Sequence, residues 1–272
     1  MSEKQPVNHH ALPNTLRLLT YNIQMGIETR HYRDYVTRSW RHFIHHRRRF
    51  EIINGVAALA TGYDIVALQE ADGGSLRSGF VNMVEYIASK SNHAHWHSQC
   101  NRNLGKLAQY SNGLLSRFPL QKVEFHRLPG FIPGRGAIRV FLGPSDNPLA
   151  IIIVHLALSG RARRHQLAYI AELCKENKHI IVMGDTNCSA EQVLFTLNDA
   201  GVHLYSHNQR ISTFPSWAPR REIDHIFVSQ NMSIKAVHHH RDQPSDHIPV
   251  SMEIELPSEL LATKSPISHV KT

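Results

Sequence analysis

Short apolar runs that end in polar residues recur along this chain. Residues 16–23 and 64–70 are two such runs, and they finish near Asn22 and Glu70. Apolar runs of this length, bounded by turn-forming residues, are typical of buried strands. Further strands are predicted over residues 113–116, 137–142, 149–158, 180–183, 222–229 and 248–256.

Between several of these strands the apolar residues adopt helical spacing. Val36, Trp40, Phe43 and Ile44 fall on one helical face, and residues 53–60 continue that stripe. Further helices are predicted over residues 80–89, 161–176 and 189–200. Strands that recur with helices between only some of them indicate stacked sheets covered by helices.

One domain is predicted, because no linker and no internal repeat divides the 272 residues. We expect it to span residues 15–257 and to include a basic helical segment at about residues 30–50. Residues 1–14 and 258–272 lack a periodic apolar pattern, so we expect flexible ends. No run reaches the roughly 18 apolar residues that a transmembrane helix needs.

The three cysteines, Cys100, Cys174 and Cys188, are not clustered. Their spacing argues against a disulfide framework and a structural zinc site, and it suits a reducing compartment. No secretory signal is visible near the first residue. We expect a cytoplasmic location and a monomeric protein.

The net charge of +8 is concentrated in one stretch of the chain. Residues 30–49 contain seven Arg, one Asp and no Lys or Glu. Such an excess indicates a phosphorylated anionic partner, with nucleic acid favoured and an anionic membrane surface as the alternative. The same stretch is equally typical of a solvated helix face.

Two motifs carry the candidate chemistry, and both adjoin apolar runs. Asp185 and Asn187 follow the predicted strand 180–183, and Asp246 and His247 precede Ile248. Together they supply a hard metal ligand, a pair able to orient water and a titratable base, which is equipment for metal-assisted phosphoester hydrolysis. Either motif alone would be typical of an ordinary turn.

Seven strand-end motifs, taken in order, resemble the endonuclease/exonuclease/phosphatase superfamily, which includes DNase I, abasic-site endonucleases, inositol-polyphosphate 5-phosphatases and neutral sphingomyelinases. They lie at residues 20–23, 68–70, 113–117, 154–156, 184–187, 223–226 and 245–247. The resemblance implies an α/β fold of the α+β type, a four-layer αββα sandwich of two mixed β-sheets flanked by helices. It also implies in-line attack of water on phosphorus with a divalent cation, usually Mg²⁺, for which Mn²⁺ can substitute.

The resemblance also assigns metal ligands. Glu70 is expected to be the main ligand, since Mg²⁺ takes only one or two carboxylates from a protein. Asn22 is expected to hold Glu70 or the metal-bound water in place. Asp246 is expected to be a second ligand or to shape the same network.

Five further residues take catalytic roles by the same resemblance. His247 is the expected general base, and Asp224 is expected to orient its ring. Asp185 and Asn187 are expected to orient the nucleophile and the phosphate. His155 is expected to contact a phosphate oxygen.

Four residues are candidates for substrate binding: Asn112, Arg135, Arg139 and Trp217. The two arginines lie in or near a Gly-flexible loop and could contact phosphate, while Trp217 could stack on a base or an acyl chain. The family usually has an aromatic residue where this chain has Thr186. This departure leaves the packing beneath the loop in doubt.

The leading hypothesis is a Mg²⁺-dependent phosphodiesterase acting on nucleic acid. The same chemistry on a phospholipid, sphingolipid or inositol-phosphate head group is the alternative. A non-catalytic binding module is a minor alternative, because such modules usually lose the ligands and the base that this chain retains.

Overall fold

The fold is given by a computed structural model, which describes residues 12–26, 46–130, 134–241 and 243–261. Within these residues, two six-stranded mixed sheets pack face to face, with helices on their outer faces. The predicted four-layer αββα sandwich is therefore confirmed. Most of the predicted basic segment, along with residues 1–11 and 262–272, lies outside the described residues.

The first sheet has the strand order β11-β12-β1-β2-β4-β3. Its strands are β1 (Thr15–Asn22), β2 (Ile65–Asp72), β3 (His95–Asn103), β4 (Gln109–Ser116), β11 (Ser233–His239) and β12 (Val250–Glu255). Strands β1 and β2 pair in parallel, and the other pairs are antiparallel.

The second sheet has the strand order β5-β6-β7-β8-β10-β9. Its strands are β5 (Lys122–Arg127), β6 (Gly136–Leu142), β7 (Leu149–His155), β8 (His179–Asp185), β9 (Leu204–Tyr205) and β10 (Asp224–Ser229). Strands β7 and β8 are parallel neighbours, and the other pairs are antiparallel. In both sheets the central parallel pair consists of the apolar runs that the sequence predicts.

Five α-helices complete the described layers. They are α1 (His46–Ala60), α2 (Met83–Lys90), α3 (Gly160–Lys175), α4 (Ala190–Asp199) and α5 (Ser258–Leu261). Apolar side chains of α1 and α2 pack on the first sheet, and those of α3 and α4 pack on the second. No helix in the described part of the chain is long and apolar enough to cross a bilayer.

The predicted flexible ends need correction at their inner boundaries. Leu12 is 4% exposed and Leu260 is 1% exposed, and both belong to the apolar cluster between the two sheets. Residues 258–261 form α5 rather than the start of a loose tail. These leucines cover the end of the inter-sheet core, and burying them stabilises local order.

Gly184 allows β7 and β8 to approach each other near the ends of both strands. Its φ is 144°, a region that L side chains rarely adopt. A Cβ at this position would overlap the carbonyl oxygen of Val154 and lie 2.9 Å from its carbonyl carbon. The close pairing of Val154 with Gly184 places His155 directly opposite Asp185 on the neighbouring strand.

The substitution Gly184→Ala is expected to lower the free energy of unfolding by about 3 kcal/mol or more, because it combines backbone strain with overpacking. Gly55→Ala is the matched control, since no atom lies within 4 Å of a Cβ at that helical site. The control should raise stability by about 0.5–1 kcal/mol. Urea unfolding measures both, and equal stabilities for the two variants would contradict the close approach.

Candidate active site

Strand ends from both sheets meet at one edge of the sandwich. In the second sheet, the register places His155 opposite Asp185 and Asp224 opposite Asp185, so three strands present these side chains together. Asn22 ends β1 in the first sheet, and its Nδ2 donates to Asp185 Oδ2 at 3.1 Å. This hydrogen bond joins the two sheets, and it brings four of the predicted site residues into one group.

Glu70 enters the site through an irregularity in β2. The pairing of β2 with β4 shifts register between Leu68 and Ala71, and Glu70 has a positive φ of 54°. Such a bulge re-aims a side chain out of the regular alternation. The carboxylate is 28% exposed, and its Oε1 lies 3.8 Å from His155 Nε2. Burial raises the pKa of Glu70, and the negative charge of Asp246 raises it further.

His247 and Asp224 form a buried pair. The Nδ1 of His247 lies 2.9 Å from Asp224 Oδ2, and the Phe214 ring packs against the imidazole with 4.9 Å between centroids. Burial lowers the pKa of His247, but the Asp224 carboxylate outweighs that effect and raises it to about 10. The pair is therefore an imidazolium facing a carboxylate at neutral pH.

Thr213 holds Asp224 in place, a role that the sequence did not reveal. Its hydroxyl donates to Asp224 Oδ2 at 2.6 Å and accepts from the backbone N–H groups of Ile223 and Asp224, each at 3.3 Å. The side chain is fully buried. A threonine before an aromatic residue gives no sequence signal for this contact, because the loop must fold back onto β10 to make it.

Ser245 belongs to the predicted motif at residues 245–247, but the sequence did not reveal its role. Its hydroxyl donates to the Asn22 carbonyl oxygen at 2.7 Å and accepts from the His247 N–H at 3.2 Å. Its Oγ also lies 3.3 Å from Asp246 Oδ1. Ser245 therefore fastens the loop that carries Asp246 and His247 to the end of β1.

Asp185 lies at the centre of the group. Besides Asn22, it accepts from the Asn187 backbone N–H at 2.9 Å, and its Oδ2 lies 3.4 Å from His155 Nε2 and 3.9 Å from His247 Nε2. Burial raises its pKa to about 7. The ligand atoms of Asp185, Asp224 and His247 lie within 4.8 Å of one another.

The loop after Asp185 is closed by hydrogen bonds rather than by an aromatic ring. Thr186 is 1% exposed, and its hydroxyl lies within hydrogen-bond reach of the carbonyl oxygens of Cys188 and Ile223. Asn187 has a φ of 54°, and its Nδ2 donates to the Leu156 carbonyl oxygen at 2.9 Å. The threonine thus replaces aromatic packing with backbone contacts, which removes the doubt about this loop.

Glu70 and His155 open onto a cavity of about 790 Å³. Arg135 lines this cavity, and its Nη1 lies 2.6 Å from His155 Nε2. Burial lowers the pKa of His155 well below its usual range, and the Arg135 charge acts in the same direction. A neutral His155 and a cationic Arg135 therefore face the cavity together.

The other three substrate-binding candidates have different positions. Asn112 is fully buried in the cavity lining, and its Nδ2 donates to the Gly136 carbonyl oxygen at 2.9 Å. Trp217 is half-buried beside Ser216, which contacts the Asp246 backbone, but it is not among the described residues that line the cavity.

The prediction for Arg139 is wrong. Its guanidinium pairs with Glu124 at 2.5 Å and with Glu176 at 2.9 Å, and it also donates to the Leu173 carbonyl oxygen. Arg139 lies within β6, where alternation points it toward α3 rather than toward the site. These ion pairs and this hydrogen bond connect β5, β6 and α3.

Comparison with known proteins agrees with this geometry. The model of the Endonuclease/Exonuclease/phosphatase family matches residues 19–247. No curated protein matches the sequence at a significant level.

Several solved structures share the fold at low sequence identity. An endonuclease/exonuclease/phosphatase from Beutenbergia cavernae is 18% identical with a TM-score of 0.66, over 90% of this chain and 72% of that one. The mannosyl-6-phosphatase of Bacteroides thetaiotaomicron is 18% identical with a TM-score of 0.63, over 88% and 99%. The human Nocturnin catalytic domain, solved with a bound sulfate anion, is 17% identical with a TM-score of 0.64, over 91% and 94%.

The family model covers most of the chain, and the strand-end residues that carry the resemblance meet at one edge of the fold. The chain therefore belongs to the endonuclease/exonuclease/phosphatase family, a family of metal-dependent enzymes that hydrolyse phosphoester bonds.

Proposed function

We propose that this chain is a Mg²⁺-dependent phosphodiesterase acting on nucleic acid by in-line attack of water on phosphorus. The observation that carries the reaction is Asp185, held between the imidazoles of His155 and His247 at the end of a cavity lined by Arg135. The observation that favours nucleic acid is the net charge of +8, with its arginine excess over residues 30–49.

His247, held by Asp224, acts as a positively charged hydrogen-bond donor with a fixed orientation. The Nδ1–H of His247 donates to Asp224, and Thr213 holds that carboxylate from its other side. The ring therefore keeps one orientation, and its Nε2 is on the side of Asp185. An imidazolium there donates to a phosphate oxygen and stabilises the charge that develops in the transition state.

Asp185 is the better proton acceptor in this arrangement. Its carboxylate is held by Asn22 and by the Asn187 N–H, so it stays aligned. The general base was expected to be His247, but a ring already paired with a buried carboxylate stays protonated. We therefore assign water activation to Asp185 and phosphate contact to His247.

The cavity end supplies the remaining contacts to the phosphate. Arg135 presents a planar guanidinium that suits two phosphate oxygens, and neutral His155 beside it can accept or donate one hydrogen bond. Both groups adjoin Asp185 and Glu70, since His155 lies 3.4 Å and 3.8 Å from their carboxylate oxygens. The scissile phosphate therefore lies beside all four residues.

The residues around Glu70 fit a divalent cation. Glu70 and Asp246 are carboxylates whose like charges repel each other. Asn22 adds an amide oxygen at the end of β1. Hard oxygen donors with excess negative charge suit Mg²⁺ or Mn²⁺. When bound by Glu70, Asn22 and Asp246, the cation supplies positive charge that polarises the phosphate.

A second candidate function is hydrolysis of a phosphate on a sugar, inositol or lipid head group. The fold neighbour named as a mannosyl-6-phosphatase favours it, because that name describes a phosphate ester of a sugar. The cavity is concave and has room for a whole small ligand.

A substrate panel decides between these candidates. With Mg²⁺ or Mn²⁺, the protein is assayed on single-stranded, duplex and abasic DNA, RNA, phosphoinositides, sphingomyelin and sugar phosphates. Turnover of a nucleic acid supports the proposal, whereas turnover confined to sugar, inositol or lipid phosphates replaces it with the second candidate. No turnover of any substrate would contradict both and favour a binding module.

The substitution His247→Ala is expected to lower kcat by about 10²–10⁴-fold, because it removes the donor that strengthens in the transition state. His203→Ala is the control, since that ring is exposed and its one hydrogen-bond partner among the described residues is Asn198. Steady-state kinetics with circular dichroism of both variants measures the effect. A folded His247→Ala variant with full activity would rule out the assigned role.

The pH dependence of the rate is expected to show whether Asp185 or His247 is the general base. Asp185 must be deprotonated, and burial raises its pKa to about 7, so kcat/KM should rise through that pH. The His247 imidazolium is lost above its pKa of about 10, so the rate should fall there. If His247 were the base, the rate would instead keep rising up to about pH 10.

The substitution Glu70→Gln is expected to weaken metal binding by at least about tenfold, because the amide carries no charge. Calorimetric titration with Mg²⁺ and the Mg²⁺ dependence of activity both measure this. Glu222→Gln is the control, since that carboxylate lies beside His225 rather than in the site. Unchanged Mg²⁺ affinity in Glu70→Gln would show that the cation binds elsewhere.

A further inference from the structure

The cavity beside the catalytic residues is larger than one phosphate group requires. Its volume is about 790 Å³, within the range of sites that enclose whole small ligands. Glu70 and His155 lie at its catalytic end, and Glu70 is the only acidic residue among the described residues in its lining. The rest of the described lining therefore presents uncharged or basic groups to whatever is attached to the scissile phosphate.

Two arginines from different elements line these walls. Arg102 comes from β3, and Arg161 from the first turn of α3, with His165 one turn later on the same helical face. Among the described residues, neither guanidinium forms an ion pair or a hydrogen bond. Both charges are therefore available to an anion that enters the cavity.

Gly134 leaves room for the side chain of Arg102 to pack against the backbone. Gly134 has a φ of 111°, and a Cβ there would lie 3.2 Å from the Cβ and 3.4 Å from the Cδ of Arg102. The arginine stem thus lies across the bare glycine backbone, next to Arg135. This packing holds Arg102 in the same wall as the guanidinium that faces the catalytic end.

The cavity lining includes two buried polar side chains with an unsatisfied atom among the described residues. Ser111 is 1% exposed and Asn112 is 0% exposed, and both line the cavity. The hydroxyl of Ser111 and the Oδ1 of Asn112 have no hydrogen-bond partner among the described residues. Buried polar groups are nearly always satisfied, so these two atoms point to a ligand with hydroxyl or amino groups.

An exposed arginine is ordinarily just a solvated charge, and α3 itself offers the comparison. Arg164 is exposed on the same helix but lines a separate groove between α3 and α4. Arg163 donates to the carbonyl oxygens of Ala157 and Leu158, so its charge supports the loop before the helix. Arg161 differs from both, because it lines the catalytic cavity and its guanidinium has no partner among the described residues.

We propose that Arg102 and Arg161, assisted by His165, form a second anion subsite, so that the substrate is a phosphate ester carrying a second phosphate group. The inference rests on the proposed function, which places the first phosphate beside Arg135 and Asp185. The body of the substrate lies between the two phosphates, where its hydroxyl or amino groups satisfy Ser111 and Asn112. A nucleotide or a phosphorylated sugar both have this chemistry.

Binding of matched probes tests the subsite. Turnover is suppressed with Asp185→Asn, and calorimetry with Mg²⁺ present compares adenosine 5′-monophosphate with adenosine 3′,5′-bisphosphate, and glucose 6-phosphate with glucose 1,6-bisphosphate. In at least one pair the bisphosphate should bind about tenfold more tightly, as expected for one added charge-assisted contact. The pair that shows the advantage identifies the nucleotide or the sugar as the source.

Adding Arg102→Ala or Arg161→Ala to this background should remove the advantage and leave monophosphate affinity unchanged. Arg164→Ala is the matched control, and it should keep the advantage. An equal affinity within both pairs, an advantage that survives both substitutions, or an equal loss in Arg164→Ala would each overturn the subsite.

The binding and turnover measurements distinguish failure of the proposed reaction from failure of the proposed subsite. Selective bisphosphate binding by a protein that hydrolyses no substrate in the panel would overturn the reaction and leave the subsite. Hydrolysis without the bisphosphate advantage would do the reverse.

Discussion

Buried charge at one edge of the sandwich is the constraint on which the rest of this structure depends. Asp185, Asp224 and Asp246 are each no more than 5% exposed, and Glu70 adds a fourth carboxylate. Buried ions are tolerated only when paired or fully hydrogen-bonded. Asn22, Thr213 and Ser245 meet that requirement with amide and hydroxyl groups, and His247 with a charge.

The central architecture was predictable from sequence because the inner strands are buried on both faces and appear as continuous apolar runs. The edge strands β3, β5 and β11 were not predicted, since they are largely polar and partly exposed and contain no continuous apolar run. Strand-end acids and histidines were found through the order of their motifs. The roles of Thr213 and Ser245 were not predicted, because a hydroxyl group gains its role only from tertiary contacts.

Arg139 shows a further limit of the sequence reading. It lies four residues from Arg135 beside a flexible loop, so both appeared able to reach a phosphate. The strand register decides between them: Arg139 pairs opposite Glu124, while Arg135 precedes the strand and lines the cavity. The apolar pattern located strand β6 to within one residue, but it did not show which neighbouring element the side chain of Arg139 would contact.

The hydrogen bond from Asn22 to Asp185 links residues 163 positions apart and on different sheets. A site assembled across such an interface is only as ordered as the docking of its two halves. Catalytic activity should therefore depend on the stability of the whole domain, because the site includes residues from both sheets. Amide protons near the ends of β1 and β8 should exchange by the same whole-molecule opening that abolishes turnover.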